Sequence, residues 1–319
     1  MPNNNTYAFS AGSDETQAAP RTATLPVEKP RLYGLSDLAL ELEDDVARRK
    51  DAIDNGRYLG PVSAFPKLDE ALSGCFAVGT HAVHGSPGVG KTAFALQIAA
   101  TCGCPALFVT CEMPPLELVR RHTARATRTY LGRFKDGKML PEKARELVGR
   151  AAAASPQLFL LDGTRAPVKP AFILEAAETV RASDPGNPHL MVVVDSLHSW
   201  ADAYGQGEET ERISTACAAL RELSAVLNCP VLFISERNRA SMGKGGQNSG
   251  ASSRKIEYGA ETIIGLDATK TNADGCPEYD IVDETTPVKL SISKNRHGEV
   301  GRPISLKFHG GFQTWMEEA

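Results

Sequence analysis

The clearest chemistry in the chain sits in eight consecutive residues, Gly85-Ser86-Pro87-Gly88-Val89-Gly90-Lys91-Thr92. They fit G-x-x-x-x-G-K-[ST], between a β-rich run (Thr80–His84) and a helical run (Thr92–Ala100). Glycines let successive backbone N–H groups turn toward one phosphate, and the helix start adds positive potential. Lys91 is placed to bridge β- and γ-phosphates, and the Thr92 hydroxyl to ligate Mg²⁺. Asp195, closing the aliphatic run LMVVVD, is the expected second Mg²⁺ ligand. Glu112, closing LFVTC, is the expected group that orients or deprotonates an attacking water.

These residues need a sheet to bring them together. From about residue 60, β-rich runs at 80–84, 106–111, 158–161, 190–195 and 230–235 alternate with helical runs at 92–100, 115–129, 141–154, 171–183 and 208–228. Near-continuous aliphatic strands suit a mostly parallel sheet with helices on both faces, an α/β fold. After residue 262 the helical pattern stops. TIIGLD, VKLSISK, PISLKF and FQTWM read as consecutive strands, expected as a C-terminal antiparallel extension.

Composition agrees. The chain has 319 residues, 42% hydrophobic and 23% charged, which excludes a disordered, collagen-like or disulfide-dense chain. Residues 1–32 are polar and proline-containing and are expected to be a disordered tail. Residues 33–60 contain a helical pattern with Leu35, Leu38, Leu42 and Val46 on one stripe, ended by Asn55-Gly56. Residues 61–319 form the expected α/β domain. No run is apolar enough for a membrane span and the start does not read as a secretory signal. The seven cysteines show no zinc-binding spacing, so a reducing cytoplasm with free or buried thiols is expected.

The net charge is −4, so any nucleic-acid contact must be local. Residues 236–256 carry Arg237, Arg239, Lys244, Arg254 and Lys255 against Glu236 alone, among glycines and serines. That segment is a candidate backbone-phosphate binder with little base preference, because it has no aromatic residue. The plainer alternative is a solvated loop. Ser199–Thr210, with Trp200 and Tyr204, is a second candidate, weakened by Asp202, Glu208 and Glu209. Arg120, Arg121, Arg125 and Arg128 read as a solvated or subunit-contact face of one helix.

The ordered set FPKLDEALSG, GSPGVGKT, FVTCEMP, VVVDS, CPVLFISERNR, SRKIEYGAETIIGL and SISKNRHGEVG resembles the RecA-like ATPase domain of DnaB-type replicative hexameric helicases, over about residues 62–316. The resemblance implies a RecA-like P-loop fold and ATP hydrolysis with Mg²⁺. It also implies a homo-oligomeric ring, most simply a hexamer, translocating on single-stranded DNA, with loader or other replication proteins as possible partners. It implies that Lys294 and Arg296 reach a neighbouring subunit's γ-phosphate, and that the helix within 33–60 docks on an adjacent subunit. The basic loop 236–256 would line a central channel. The family's primase-recruiting helical domain has no counterpart in residues 1–60. Ser235 is followed by Glu236 where the family has a glutamine, an acid that needs a partner such as Arg237 beside a phosphate. Two rival readings share the phosphate loop: a RecA/RadA-like recombination ATPase, and a nucleotide-switched interaction protein with slow turnover.

Overall fold

In a computed structural model describing residues 31–236, 256, 258–269 and 284–318, one nine-stranded sheet organises the chain. Its strands are β1 (Gly79–Gly85), β2 (Ala106–Thr110), β3 (Leu158–Asp162), β4 (Met191–Asp195), β5 (Pro230–Glu236), β6 (Thr262–Ala268), β7 (Thr286–Asn295), β8 (Ile304–His309) and β9 (Thr314–Glu317). The spatial order is β3-β2-β4-β5-β1-β6-β7-β8-β9. β1 to β6 run parallel, and β7, β8 and β9 are antiparallel. TIIGLD therefore belongs to the parallel part, contrary to the sequence expectation: β6 pairs in parallel with β1, His81 beside Thr262. The antiparallel extension begins one strand later.

The helices are α1 (Ala39–Asp54), α2 (Pro66–Ala71), α3 (Lys91–Thr101), α4 (Pro115–Thr127), α5 (Pro141–Ala154), α6 (Pro170–Arg181), α7 (Leu197–Tyr204) and α8 (Glu209–Leu227). Proline opens α2, α4, α5 and α6. At a first helical position its missing N–H costs nothing and its fixed φ is already helical. Strand alternation sends Val83, Phe108 and Val193 into one core with α3, and Ala82, Leu107, Val109, Val192 and Val194 into another with α6, α7 and α8.

α3 is buried along Ala93–Ala99, packed against β1, β2, β4 and β5 and also against α4 and β9. Phe94 stacks on Phe65 (5.3 Å) and meets Trp315 edge-on (5.4 Å). The expected helix in 33–53 is a short 3₁₀ turn, Leu35–Leu38, followed by α1, and none of the residues in either is buried. The expected single helical run at 208–228 is preceded by a separate α7. There Trp200 is fully buried and its Nε1 donates to Val168 O (2.7 Å). Trp200 is a core residue, so it offers no surface to the second candidate contact, Ser199–Thr210. Among the described cysteines, Cys75, Cys102, Cys104, Cys217 and Cys229 are buried free thiols and Cys111 is partly exposed. No helix among the described residues is long and apolar enough to cross a membrane.

Candidate functional site

The loop 85–92 leaves the carboxyl end of β1 and enters α3 at Lys91. Gly90 caps the helix at φ +99°, a left-handed conformation. A Cβ at this position would stand 2.9–3.0 Å from the Phe308 and Trp315 rings, so conformation and space both require glycine. Lys91 Nζ lies back along its own loop, donating to Gly85 O (2.9 Å) and Ser86 O (3.2 Å).

Neighbouring strand ends deliver the acids to this edge. Thr110 and Asp195 are in register across β2 and β4, and the Cys111 N–H donates to Asp195 O (2.7 Å). The chain then turns through Glu112. Thr110 Oγ1 clasps that turn, accepting from the Met113 N–H (3.3 Å) and donating to Met113 O. Glu112 itself is exposed. Thr110 is a supporting residue that the sequence reading passed over, because a strand threonine carries no motif.

Asp195 is 2% exposed. Burial is the main cause pushing its carboxyl up to about 6, and the charge of Glu112 adds to it. A hydrogen bond from Thr92 and the charges of Lys91 and Arg121 act against the shift. Asp195 Oδ2 is buried with no hydrogen-bond partner among the described residues. An orphaned carboxylate oxygen beside a threonine hydroxyl is a hard-oxygen donor set, and it fits Mg²⁺.

Lys294 and Arg296 stand elsewhere. Lys294 is in register with Ile263, which is beside Ala82, whereas Gly85 is beside Leu266. Three residues along a strand are roughly 10 Å. Because β7 runs antiparallel, Arg296 lies farther still from the loop. Lys294 Nζ donates to Tyr258 O (3.4 Å), and Arg296 pairs with Glu261 (2.9 Å), both just before β6 begins. The two cations therefore occupy the opposite edge of the sheet from the loop 85–92.

Comparison with known proteins places the chain in a family. The family model for the DnaB-like helicase C-terminal domain matches residues 60–317. The chain belongs to the DnaB-like helicase C-terminal domain family. One solved ATPase domain aligns at 18% identity over 87% of this chain and 99% of its own, with a TM-score of 0.69. A DnaB-like replicative helicase, solved with its interactions with primase, aligns at 18% identity over 90% of this chain and 67% of its own, with a TM-score of 0.69. A KaiC-like protein from the archaeon Pyrococcus horikoshii aligns at 19% identity over 81% of this chain and 98% of its own, with a TM-score of 0.52. At these identities the likeness shows a shared RecA-like fold. A search of curated proteins finds no match.

In this DnaB-like domain the arginines of α4 do not form one solvated face. Arg121 Nη1 donates to Gln313 Oε1 (2.7 Å) in the β8–β9 connection, and its charge bears on Asp195. Arg125 is partly buried, and burial lowers its pKa. Periodicity reads a row of arginines as a solvated or subunit-contact face, whereas Arg121 is engaged within its own chain by Gln313, 192 positions later. Arg237, Arg239, Lys244, Arg254 and Lys255 lie outside the described residues. β5 brings the backbone of residue 236 into register with Gly85, so the basic segment begins beside the phosphate-loop candidate.

Proposed function

We propose that this chain is the ATP-hydrolysing subunit of a homo-oligomeric ring, most simply a hexamer, that moves along single-stranded DNA. The supporting observation is the division of candidate catalytic groups between two edges of one sheet. At one edge, the Gly85–Gly90 backbone and the start of α3 cradle the triphosphate, and Lys91 turns from its own loop carbonyls to the β- and γ-phosphates. Thr92 and Asp195 would hold Mg²⁺, which when bound would neutralise charge on the phosphate oxygens. Glu112, exposed at the same edge, orients and deprotonates the attacking water. At the other edge, Lys294 and Arg296 are too far from their own loop to serve it. They suit a neighbouring copy, where cations stabilise the charge that spreads over the γ-oxygens in transfer. A head-to-tail contact of this kind closes into a ring when its rotation permits.

The basic segment supplies the second half of the reading: in sequence it follows directly on residue 236, whose backbone is in register with Gly85. The test is affinity for single-stranded DNA as a function of salt. Each neutralised phosphate releases a counterion and contributes a slope of about −0.7 in log K against log salt. Changing Lys244, Arg254 and Lys255 together to alanine is expected to flatten the slope and abolish DNA-stimulated hydrolysis. Absence of single-strand binding at moderate salt, with a triple variant that behaves like wild type, would overturn the translocase reading in favour of a nucleotide-switched interaction protein.

A further inference from the structure

The turn after β7 is held by three elements. Asn295 Nδ2 donates to Ala71 O at the end of α2 (2.8 Å) and to Glu299 O (3.2 Å). The Ser73 hydroxyl donates to His297 O (2.7 Å), and the Arg296 N–H donates to Glu261 O (3.1 Å). On this fixed backbone the Arg296 guanidinium donates through Nη1 to Glu261 Oε1 (2.9 Å) and through Nη2 to Tyr258 O (3.5 Å). His297 Nε2 stands 3.2 Å from Glu261 Oε2, so each carboxylate oxygen serves one neighbour.

Burial is unequal across the ion pair: the Glu261 side chain is 20% exposed, and that of Arg296 is 52% exposed. The carboxylate sits inside and the guanidinium outside. Gly79 makes the recess. Its φ is +137°, and a Cβ there would lie 2.3 Å from Glu261 Cγ. The stem of Glu261 therefore occupies the space a side chain at position 79 would fill. Ion pairs between two mobile surface side chains contribute little. This one has a carboxylate fixed by its recess and a guanidinium on an immobilised turn.

We propose that Glu261 is the positioning residue for Arg296. It holds the guanidinium extended at the rim of the sheet, oriented before a second copy's triphosphate arrives. The proposal rests on the reading of Arg296 as a cation supplied to a neighbouring subunit. A guanidinium has five N–H donors in a planar fork. Glu261 and Tyr258 use two of them, leaving three for phosphate oxygens. The conformational freedom of the arginine is then given up on folding, and the donors need no reorganisation during transfer.

The experiment uses the full chain in its assembled form. It reads steady-state ATP hydrolysis, binding of a fluorescent ATP analogue and thermal unfolding. Glu261→Ala is expected to lower kcat by about 10- to 100-fold, the scale of a misplaced catalytic group. KM and analogue affinity should stay within about twofold, because the phosphate loop is untouched. Glu261→Gln keeps the stem and an acceptor oxygen and is expected to recover most of the rate. The double variant Glu261→Ala with Arg296→Ala should be no slower than Arg296→Ala alone, since nothing remains to orient. If Glu261→Ala unfolds early, Glu261→Asp carries the test. It keeps the charge, withdraws the acceptor by one methylene, and should slow turnover only while Arg296 is present. Wild-type kcat in the Glu261 variants beside a slow Arg296→Ala overturns this proposal and leaves the trans-cation reading standing. Losses that multiply in the double variant overturn it as well. Wild-type turnover by Arg296→Ala removes the trans-cation reading and this proposal with it.

Discussion

Gln97 and Trp315, 218 positions apart, exchange two hydrogen bonds: Gln97 Nε2 donates to Trp315 O (3.0 Å), and the Trp315 N–H donates to Gln97 Oε1 (2.9 Å). A side-chain amide on α3 thus takes the place of a neighbouring strand for β9. The same tryptophan packs against Gly90, so the tether runs from the last strand to the start of the helix that follows the loop. Gln97→Leu would leave two buried backbone groups unmatched, at about 1–3 kcal/mol each. The expected result is a drop of several degrees in melting temperature and weaker ATP binding. Equilibrium unfolding and nucleotide titration check both, and a variant as stable as wild type would show that the tether contributes nothing.

Turnover separates the roles proposed for Lys91 and Glu112. Lys91→Ala should abolish ATP binding. Glu112→Gln should bind ATP normally and hydrolyse it about 10²–10⁴-fold more slowly, the usual loss for a positioned general base. Residue 236, aligned with Gly85 on the next strand, is the alternative acid. A Glu112→Gln variant with wild-type turnover beside an inactive Glu236→Gln would move the base to that position.

The loop 85–92 was legible in the sequence because its chemistry depends on conformations that only glycine adopts freely, as at Gly88 (φ +80°) and Gly90 (φ +99°). The aliphatic runs of β2, β4 and β5 were legible for a related reason, since strands covered on both faces have no polar side. The direction of β6 was not. An apolar run such as TIIGLD looks the same parallel or antiparallel, and pairing with β1 decides it. The burial of Trp200 was not legible, because an aromatic residue beside glycines and acids looks like a loop, although its ring lies in the core with residues of α8. Glu261 carries no motif. Its place depends on Gly79, 182 residues earlier, and on a turn after β7.

The helix within 33–60 gives a prediction about assembly. Leu35, Leu42 and Val46 are 94%, 65% and 56% exposed, and no residue of α1 is buried. Removing residues 1–53 should therefore leave the sheet and its helices folded. Burying Leu35, Leu38, Leu42 and Val46 on a neighbour would contribute ~1.5–3 kcal/mol each, enough to decide association at micromolar concentration. Light scattering should show loss of the ring, and hydrolysis should fall as each site loses its neighbour's cations. An unchanged particle mass would rule out the docking role of this helix.

Two buried histidines set a pH window for stability. His81 is fully buried on β1, with Nε2 bonded to Ala77 O (2.8 Å) and Nδ1 without a partner among the described residues. Burial pushes its pKa down to about 4, and burial together with the Arg125 charge does the same to His122. In the unfolded chain both titrate near 6.5. Between pH 4 and 6.5 these two histidines therefore bind more protons in the unfolded state, so their contribution to stability rises with pH through this window, while Asp195, pushed up to about 6, acts in the opposite direction. The contribution is complete above pH 6.5 and lost as pH falls to about 4, at up to about 3 kcal/mol per histidine. His81→Gln keeps a donor for Ala77 O and cannot titrate. Urea unfolding midpoints from pH 4.5 to 7.5 should show a shallower pH dependence in this variant, with carboxylate contributions cancelling in the comparison. Identical slopes for variant and wild type would mean that His81 takes up its proton in the folded core, and that β1 opens to water at mildly acidic pH.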